Sequence, residues 1–159
     1  MPVNPYASQL GDLDPLPVTR ATPARLRTLV AGLGADKLNA HPAPGKWSVR
    51  DILSHLADCE VVFAFRLRQA LAQDRHVVQP FDQDDWAATY GRYDAHTALA
   101  TFSAIREWNL ALIAGLAAVD LNKPLNHPER GDMTLRVVIE TMGGHDLNHL
   151  RQVQAILGI

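Results

Sequence analysis

The sequence predicts an all-α fold, a four-helix bundle, and three observations carry that prediction. The ten prolines leave three long proline-free blocks, between Pro44 and Pro80, between Pro80 and Pro124, and after Pro128. Each is long enough for a helix of several turns, and proline is the residue that interrupts helices. Within those blocks apolar residues recur at three- and four-residue spacing, the period of one helix face. Strand signals are weak: there is no sustained apolar/polar alternation and no Asn-Gly pair to turn a hairpin. Four helices, with long connections between the second and third and between the third and fourth, pack most simply as a bundle.

The elements follow in order. Residues 1–21 hold Pro2, Pro5, Pro15 and Pro17 and read as an extended lead-in, leaving 22–159 for the bundle. The first helix is expected to begin with Thr22 as N-cap and Pro23 at N1, a favoured pair. Leu26, Leu29, Val30 and Leu33 give its apolar face, and Gly32 and Gly34 end it. Residues 35–47 read as a loop. Ser48 caps the second helix, with Asp51 three residues on in the manner of a capping box. Ile52, His55, Leu56, Cys59, Phe63, Leu67 and Ala70 form its inward stripe, while Arg50, Asp51, Arg66 and Arg68 suit an outer face.

Residues 74–93 form a long connection rich in aspartates and aromatics, and connections of that length are uncommon unless functional or disordered. Asp94 caps the third helix, whose stripe is Leu99, Phe102, Ile105, Asn109, Leu112, Ile113 and Leu116. The segment 120–133, with Pro124, Pro128 and Gly131, breaks the pattern. Thr134 then caps a fourth helix through Val137, Val138, Met142, His145, His149, Val153 and Ile156, and Gly158 stops it.

Composition bounds the function. A chain of 159 residues, 47% apolar and 20% charged, fits one soluble domain with a sizeable core. A net charge of −2 and a pI near 6.4 argue against a nucleic-acid partner. Cys59 is the single cysteine, which precludes an internal disulfide or a zinc ribbon and suits a reducing cytoplasm. No apolar run is long enough to span a bilayer, so no membrane partner is expected. The first residues lack the basic start and apolar run of a signal peptide.

The chemistry concentrates in MGGHDLNHLRQVQ, Met142–Gln154. His145 and His149 stand four apart and therefore share one helix face. Val138, Met142, Gln152 and Ile156 lie near the same stripe, so the pair faces inward, and buried imidazoles need partners. A divalent ion is one such partner, and His55 on the second helix is the third candidate ligand. Three histidines leave a position for water or substrate, as at catalytic metal sites. Imidazole suits Zn, Ni, Fe and Co alike, so the ion is not selected. The competing reading for each histidine is a hydrogen-bonded core residue.

Asp146 directly follows His145, so this is not the HExxH motif of zinc proteases. Asp58 and Asp146 are candidate catalytic carboxylates, for proton transfer or for orienting a ligand; the plainer reading is a polar flank residue for Asp58 and a solvated carboxylate for Asp146. Cys59 is either a fourth approach to the ion or a small buried apolar side chain. His41, His76, His96 and His127 read as surface residues. Phe81, Trp86 and Tyr90 are placed to roof a pocket or cover core.

WSVRDILSHLADCE (Trp47–Glu60), RLRQAL after it, FDQDDWA (Phe81–Ala87) and GHDLNHLRQVQ (Gly144–Gln154) together resemble the DinB-like superfamily, named for DNA-damage-inducible bacterial proteins. The resemblance runs from about Thr22 to the C-terminus. It implies a bundle with up-down-down-up connectivity, a divalent metal on His55, His145 and His149, and a homodimer. It also implies chemistry: relatives include bacillithiol-dependent S-transferases and a mycothiol-dependent maleylpyruvate isomerase. The expected activity is therefore a metal-dependent transferase, pairing a small-molecule thiol with an electrophilic substrate. The alternatives are a metal-dependent hydrolase using metal-bound hydroxide and a non-catalytic metal-binding stress protein.

Overall fold

The computed structural model describes residues 2–159. Four long helices make the bundle: α2 (Pro15–Val30), α4 (Val49–Ala72), α6 (Ala95–Ala114) and α7 (Leu135–Leu157). Three short helices, α1 (Ala7–Leu10), α3 (Ala35–Asn39) and α5 (Gln83–Ala87), lie in the segments between and before them. Among the described residues no helix is long and apolar enough to cross a membrane.

The core is built in two apolar layers, and these fix the helix directions. One layer gathers Leu26 and Val30 from the end of α2, Val49 to Ala57 from the start of α4, Ala95 to Phe102 from the start of α6, and Leu150 and Val153 from the end of α7. The other gathers Cys59 to Ala70 of α4, Ile113 at the end of α6, and Leu135 to Met142 at the start of α7. Helices α4 and α6 therefore run one way and α2 and α7 the other, which is up-down-down-up. Parallel neighbours such as α4 and α6 need a connection that travels back along the bundle. That requirement accounts for the length of the segment between them.

The predicted start of the first helix is corrected. Helix α2 begins at Pro15, with the Asp14 carboxylate accepting from the Leu16 N–H at 3.0 Å. Pro15 and Pro17 occupy the first turn, where a missing N–H costs nothing. Thr22 is no cap; its hydroxyl donates to Val18 O at 2.9 Å. Pro23 sits inside the helix and leaves the carbonyl four residues back, on Thr19, without its helical donor. Arg106 supplies the replacement, Nη1 donating to Thr19 O at 2.9 Å. The proline is tolerated because a side chain on another helix takes the vacated bond.

Nor is the segment before it an extended lead-in. Helix α1 packs on α7 at Gly143-Gly144. A Cβ on Gly144 would collide with the Tyr6 carbonyl oxygen, and one on Gly143 would stand 2.9 Å from Pro15 Cβ. Two glycines inside a helix cost roughly 1 kcal/mol each; here they admit the N-terminal segment against the helix that carries His145.

The second helix starts as predicted. Ser48 Oγ accepts from the Asp51 N–H at 3.2 Å, and Asp51 Oδ2 accepts from the Ser48 N–H at 3.0 Å. Asp51 is nevertheless buried, with the Arg50 guanidinium against it at 3.0 Å, so it does not lie on an outer face. Asp94 caps α6 as expected, and Gly158 ends α7 in the left-handed region. Thr134 stands at the N-cap of α7 but makes no side-chain cap bond.

The structure adds a three-stranded sheet to the helical prediction: β1 (His76–Val77), β2 (Pro124–His127) and β3 (Gly131–Thr134), in that order. His76 pairs with Leu125 in the parallel ladder, and Leu125 with Met133 in the antiparallel one. Strands of two to four residues are too short to display alternation, and the hairpin turns through Pro128 and Gly131 rather than Asn-Gly. Residues 35–47, read as a loop, contain α3. His76 and His127 are buried beside this sheet and are not surface residues, whereas His41 and His96 are exposed.

Candidate metal centre

Helix α4 brings His55, and α7 brings His145 and His149, to one buried point in the bundle. His145 Nε2 is the shared centre, 3.0 Å from His55 Nε2 and 3.1 Å from His149 Nε2. All three residues are at most 3% exposed. Cys59, one turn beyond His55, joins from the same helix, its Sγ 3.4 Å from His55 Nε2. The donor atoms of His55, Cys59 and His145 lie within 4.8 Å of one another, so the cysteine is at the site as well as in the core.

The outer nitrogens differ in their partners. Gln152 Oε1 accepts from His149 Nδ1 at 2.8 Å, which leaves the Nε2 lone pair of that ring aimed at His145. His55 Nδ1 faces the Tyr90 hydroxyl at 3.5 Å, and the Asp58 carboxylate lies near that hydroxyl. His145 Nδ1 is buried with no partner.

This arrangement cannot be satisfied by protons alone. If His145 carries its proton on Nδ1, as it would with a cation on Nε2, three lone pairs meet and nothing but a cation lies between them; the Nδ1–H has no acceptor in either case. If it carries the proton on Nε2, it can donate to His55 or to His149 but not to both. Either way a contact near 3 Å lacks the positive charge that would make it attractive, and unpaired buried polar groups are costly. Protonating a ring is no remedy. Burial lowers His55 to about 3, with His149 adding repulsion, and burial lowers His149 to about 4. Burial takes His145 well below the usual imidazole range. A divalent cation fits the donor set: neutral imidazoles turned on one another at His145 Nε2, with the outer nitrogen of His149 hydrogen-bonded and that of His145 left without a partner.

Aromatic side chains close the surroundings. Trp47 packs 4.8 Å from His55 and stacks with His149, ring centroids 6.4 Å apart. Tyr90 is fully buried against Trp47. Tyr6 meets His145 in a T-shaped contact at 5.1 Å. Phe81 and Trp86 pack together with their rings tilted, centroids 4.6 Å apart, and Phe81 lines the site's smaller cavity. Nothing in local spacing points to Tyr6. Its one indirect signal is the Gly143-Gly144 pair, which marks a close approach without saying by what.

Asp58 and Asp146 separate here. Asp58 is half-buried beside Tyr90; burial raises its pKa and the Tyr90 hydroxyl pulls the other way. Asp146 is fully buried, which corrects its reading as a solvated carboxylate. Both its oxygens are taken by Arg106, at 2.5 and 3.0 Å. Arg106 also donates to Glu60 Oε2 at 2.8 Å, and Asn109 bridges Glu60 to Arg68.

Two cavities reach the histidines. A cleft of about 520 Å³ runs past His149, lined by Trp47, Asn148, Gln152 and Ile156. A smaller cavity of about 90 Å³ touches His55, Cys59 and His145 together with Arg66 and Arg130. Tyr6 and Gln83 line both.

Residues 19–153 match the family model described as the DinB superfamily, and the chain belongs to that family. A protein of Oceanobacillus iheyensis, provisionally named a metal-dependent hydrolase, is 24% identical over 97% of this chain and 85% of its own length. A protein of Geobacillus kaustophilus with the same provisional name is 28% identical over 86% of this chain and 79% of its own. Among solved structures, YfiT from Bacillus subtilis superposes with a TM-score of 0.80 at 21% identity, covering 91% of this chain and 86% of that one. It is described as a probable metal-dependent hydrolase with an unusual four-helix bundle topology, and the likeness establishes the shared fold.

Proposed function

We propose that this member of the DinB superfamily is a metal-dependent hydrolase whose divalent ion is held by His55, His145 and His149. The observation that carries the reading is the pair of nitrogen contacts at 3.0 and 3.1 Å around His145 Nε2, which a cation would reconcile and protons would not. The provisional names of the relatives from Oceanobacillus and Geobacillus support the same reaction class. When bound there, the ion would polarise a substrate oxygen and lower the pKa of a water molecule.

The chain's own residues divide the remaining work. Gln152 fixes which nitrogen of His149 points inward, and Tyr90, backed by Asp58, does the same for His55. Trp47 shields His55 and His149 from solvent. The cleft past His149 has the volume of a small-molecule site. Asp146 is committed to Arg106 and carries no proton for the reaction. Asp58 acts through Tyr90 as a positioning residue.

The test begins with elemental analysis of protein purified without a metal-affinity tag. A panel of esters, amides and phosphoesters follows, assayed with and without chelator. We expect bound divalent metal near one per chain, hydrolysis abolished by chelation and by His55→Ala, and no dependence on thiol.

One observation favours a second reading, transfer to a small-molecule thiol. No free carboxylate touches the histidines among the described residues, and a thiol ionised by the cation would need no base beside it. Turnover of an electrophile only on adding a low-molecular-weight thiol would establish that reading and reject hydrolysis.

A further inference from the structure

Arg66 and Arg130 differ from the other sheltered arginines of the chain. Arg50 is paired with Asp51, Arg106 with Glu60 and Asp146, and Arg68 with Asn109 and the Trp108 ring. Arg66 and Arg130 are half-buried, yet neither has a carboxylate within 4.0 Å among the described residues. Among the described residues the two side chains make one hydrogen bond, Arg66 Nη2 to Gln79 O at a long 3.4 Å. The Nε atoms of both, like that of Arg106, are buried with no partner among the described residues; unlike Arg106, neither has a carboxylate on its terminal nitrogens. They come from separate elements, α4 and the turn between β2 and β3, and both line the small cavity that His55, Cys59 and His145 also line.

Two like charges side by side, each shielded from water and each with an unused donor, leave an unmet demand for negative charge. The surroundings confirm its sign. Burial and then the neighbouring Arg130 lower Arg66 to about 10. Burial lowers His76 and His127, with Arg66 acting on both and Arg130 on His127. No Asp or Glu is among the residues that line the cavity.

We propose that Arg66 and Arg130 form an anion subsite that takes a carboxylate or phosphate group of the substrate, next to His55 and His145. Guanidinium groups bind both groups through paired N–H donors. A cavity of about 90 Å³ has the room of roughly three water molecules, enough for one such headgroup and little else. The substrate is then a small anionic molecule, its charged end in this cavity and its scissile bond over the histidines. Assigning the anion to the substrate rests on the hydrolase reading; the subsite itself does not.

The experiment uses the full chain with chelator present, so that no metal attracts the anion. Inorganic phosphate and acetate are titrated separately while the arginine Nε–H resonances and the melting temperature are followed. We expect one of the two anions to shift two arginine resonances together and saturably, and to raise the melting temperature. Arg66→Gln and Arg130→Gln should each weaken that binding by about tenfold or more, the effect of losing a charge-assisted bond. Arg136→Gln, on an exposed arginine, should leave it unchanged.

Should a glutamine variant not fold, Arg66→Lys and the resonances of the unaltered chain decide the matter. The absence of any saturable shift, or a shift that survives in the double variant, overturns the proposal. The two readings fail separately. Arginine-dependent anion binding without hydrolysis of any substrate keeps the subsite and sinks the hydrolase. Hydrolysis with the same kcat/KM for anionic substrates in Arg66→Gln keeps the hydrolase and sinks the subsite.

Discussion

Two polar clusters lie back to back in this bundle, and they obey opposite rules. His145 and Asp146 are consecutive, and His55 and Glu60 are little more than a turn apart on α4. One cluster is charged and closed: Arg106 spends both terminal nitrogens on Asp146, Glu60 and Thr19 O, and Asn109 ties Glu60 to Arg68. The other is neutral and open, with nitrogens facing nitrogens around His145. Burial is equal in the two. What differs is whether donors meet acceptors. Arg106 Nε also lacks a partner, but its terminal nitrogens match both carboxylates and so tie three helices together, whereas three inward-facing imidazoles suit a cation.

The largest expected effect follows from breaking the closed cluster. Arg106→Met strands Glu60 and Asp146 without their counter-charge and frees Thr19 O beneath Pro23. Removing one partner of a buried ion pair costs about 3–5 kcal/mol. At roughly 2–4 °C per kcal/mol for a domain of this size, the melting temperature should fall by about 10 °C. His145→Leu in chelated protein should cost far less, since it removes an unsatisfied group instead of creating one. Equal losses in the two variants, by thermal melting without metal, would erase the distinction between the clusters.

A pH series sharpens the contrast on the open side. The unfolded chain takes up protons on its histidines around pH 6.5. In the folded chain burial holds His55 at about 3 and His149 at about 4, with His145 low as well. Below pH 6.5 the unfolded state therefore binds more protons, so stability falls as pH falls. This contribution is fully present above about 6.5 and lost progressively toward pH 3–4. Urea unfolding of chelated protein between pH 7.5 and 5 should show the decline, and His149→Leu should flatten it. A wild-type profile no steeper than that of the variant would mean these rings do not titrate as buried groups.

The sequence made the open cluster legible and hid the closed one, for a physical reason. His145 and His149 announce themselves because their four-residue spacing is a helix's own period, and His55 lies on an apolar stripe where a histidine is out of place. Long helices with clear caps, such as Ser48 and Asp94, are legible in the same way. Arg106, Glu60 and Asp146 come from three helices, so no spacing records their meeting, and Asp146 reads as a solvated carboxylate. Pro23 reads as a helix start because the usual cost of an interior proline is met from across the bundle, by Arg106. Tyr6 and the Arg66–Arg130 pair are invisible for the same reason: each depends on a tertiary approach, through Gly143-Gly144 or through the short sheet.

A smaller effect concerns the support around the histidines. Gln152→Leu leaves His149 Nδ1 without its acceptor and frees the ring to turn or change tautomer. Loss of such a supporting hydrogen bond typically weakens metal binding by about 10–100-fold. Competition with a calibrated chelator measures it, and folding stability without metal should barely change. An unaltered metal affinity would remove Gln152 from the site.

The smallest expected effect decides which donors belong to the ion. Cys59 Sγ lies 3.4 Å from His55 Nε2, so His55, Cys59 and His145 form a rival set to the three histidines. Burial, reinforced by Asp58, pushes the thiol pKa up, and a ligating sulfur must first lose its proton. His149 binds without that cost, since its inward nitrogen already carries a lone pair. Cys59→Ala should therefore change metal affinity less than about tenfold, against a far larger loss for His149→Ala, because a thiolate ligand removed outright costs much more than a neighbour. A cobalt-substituted protein provides the independent readout: a sulfur-to-cobalt charge-transfer band absent from Cys59→Ala would seat the cysteine on the ion and displace His149 from the proposed set.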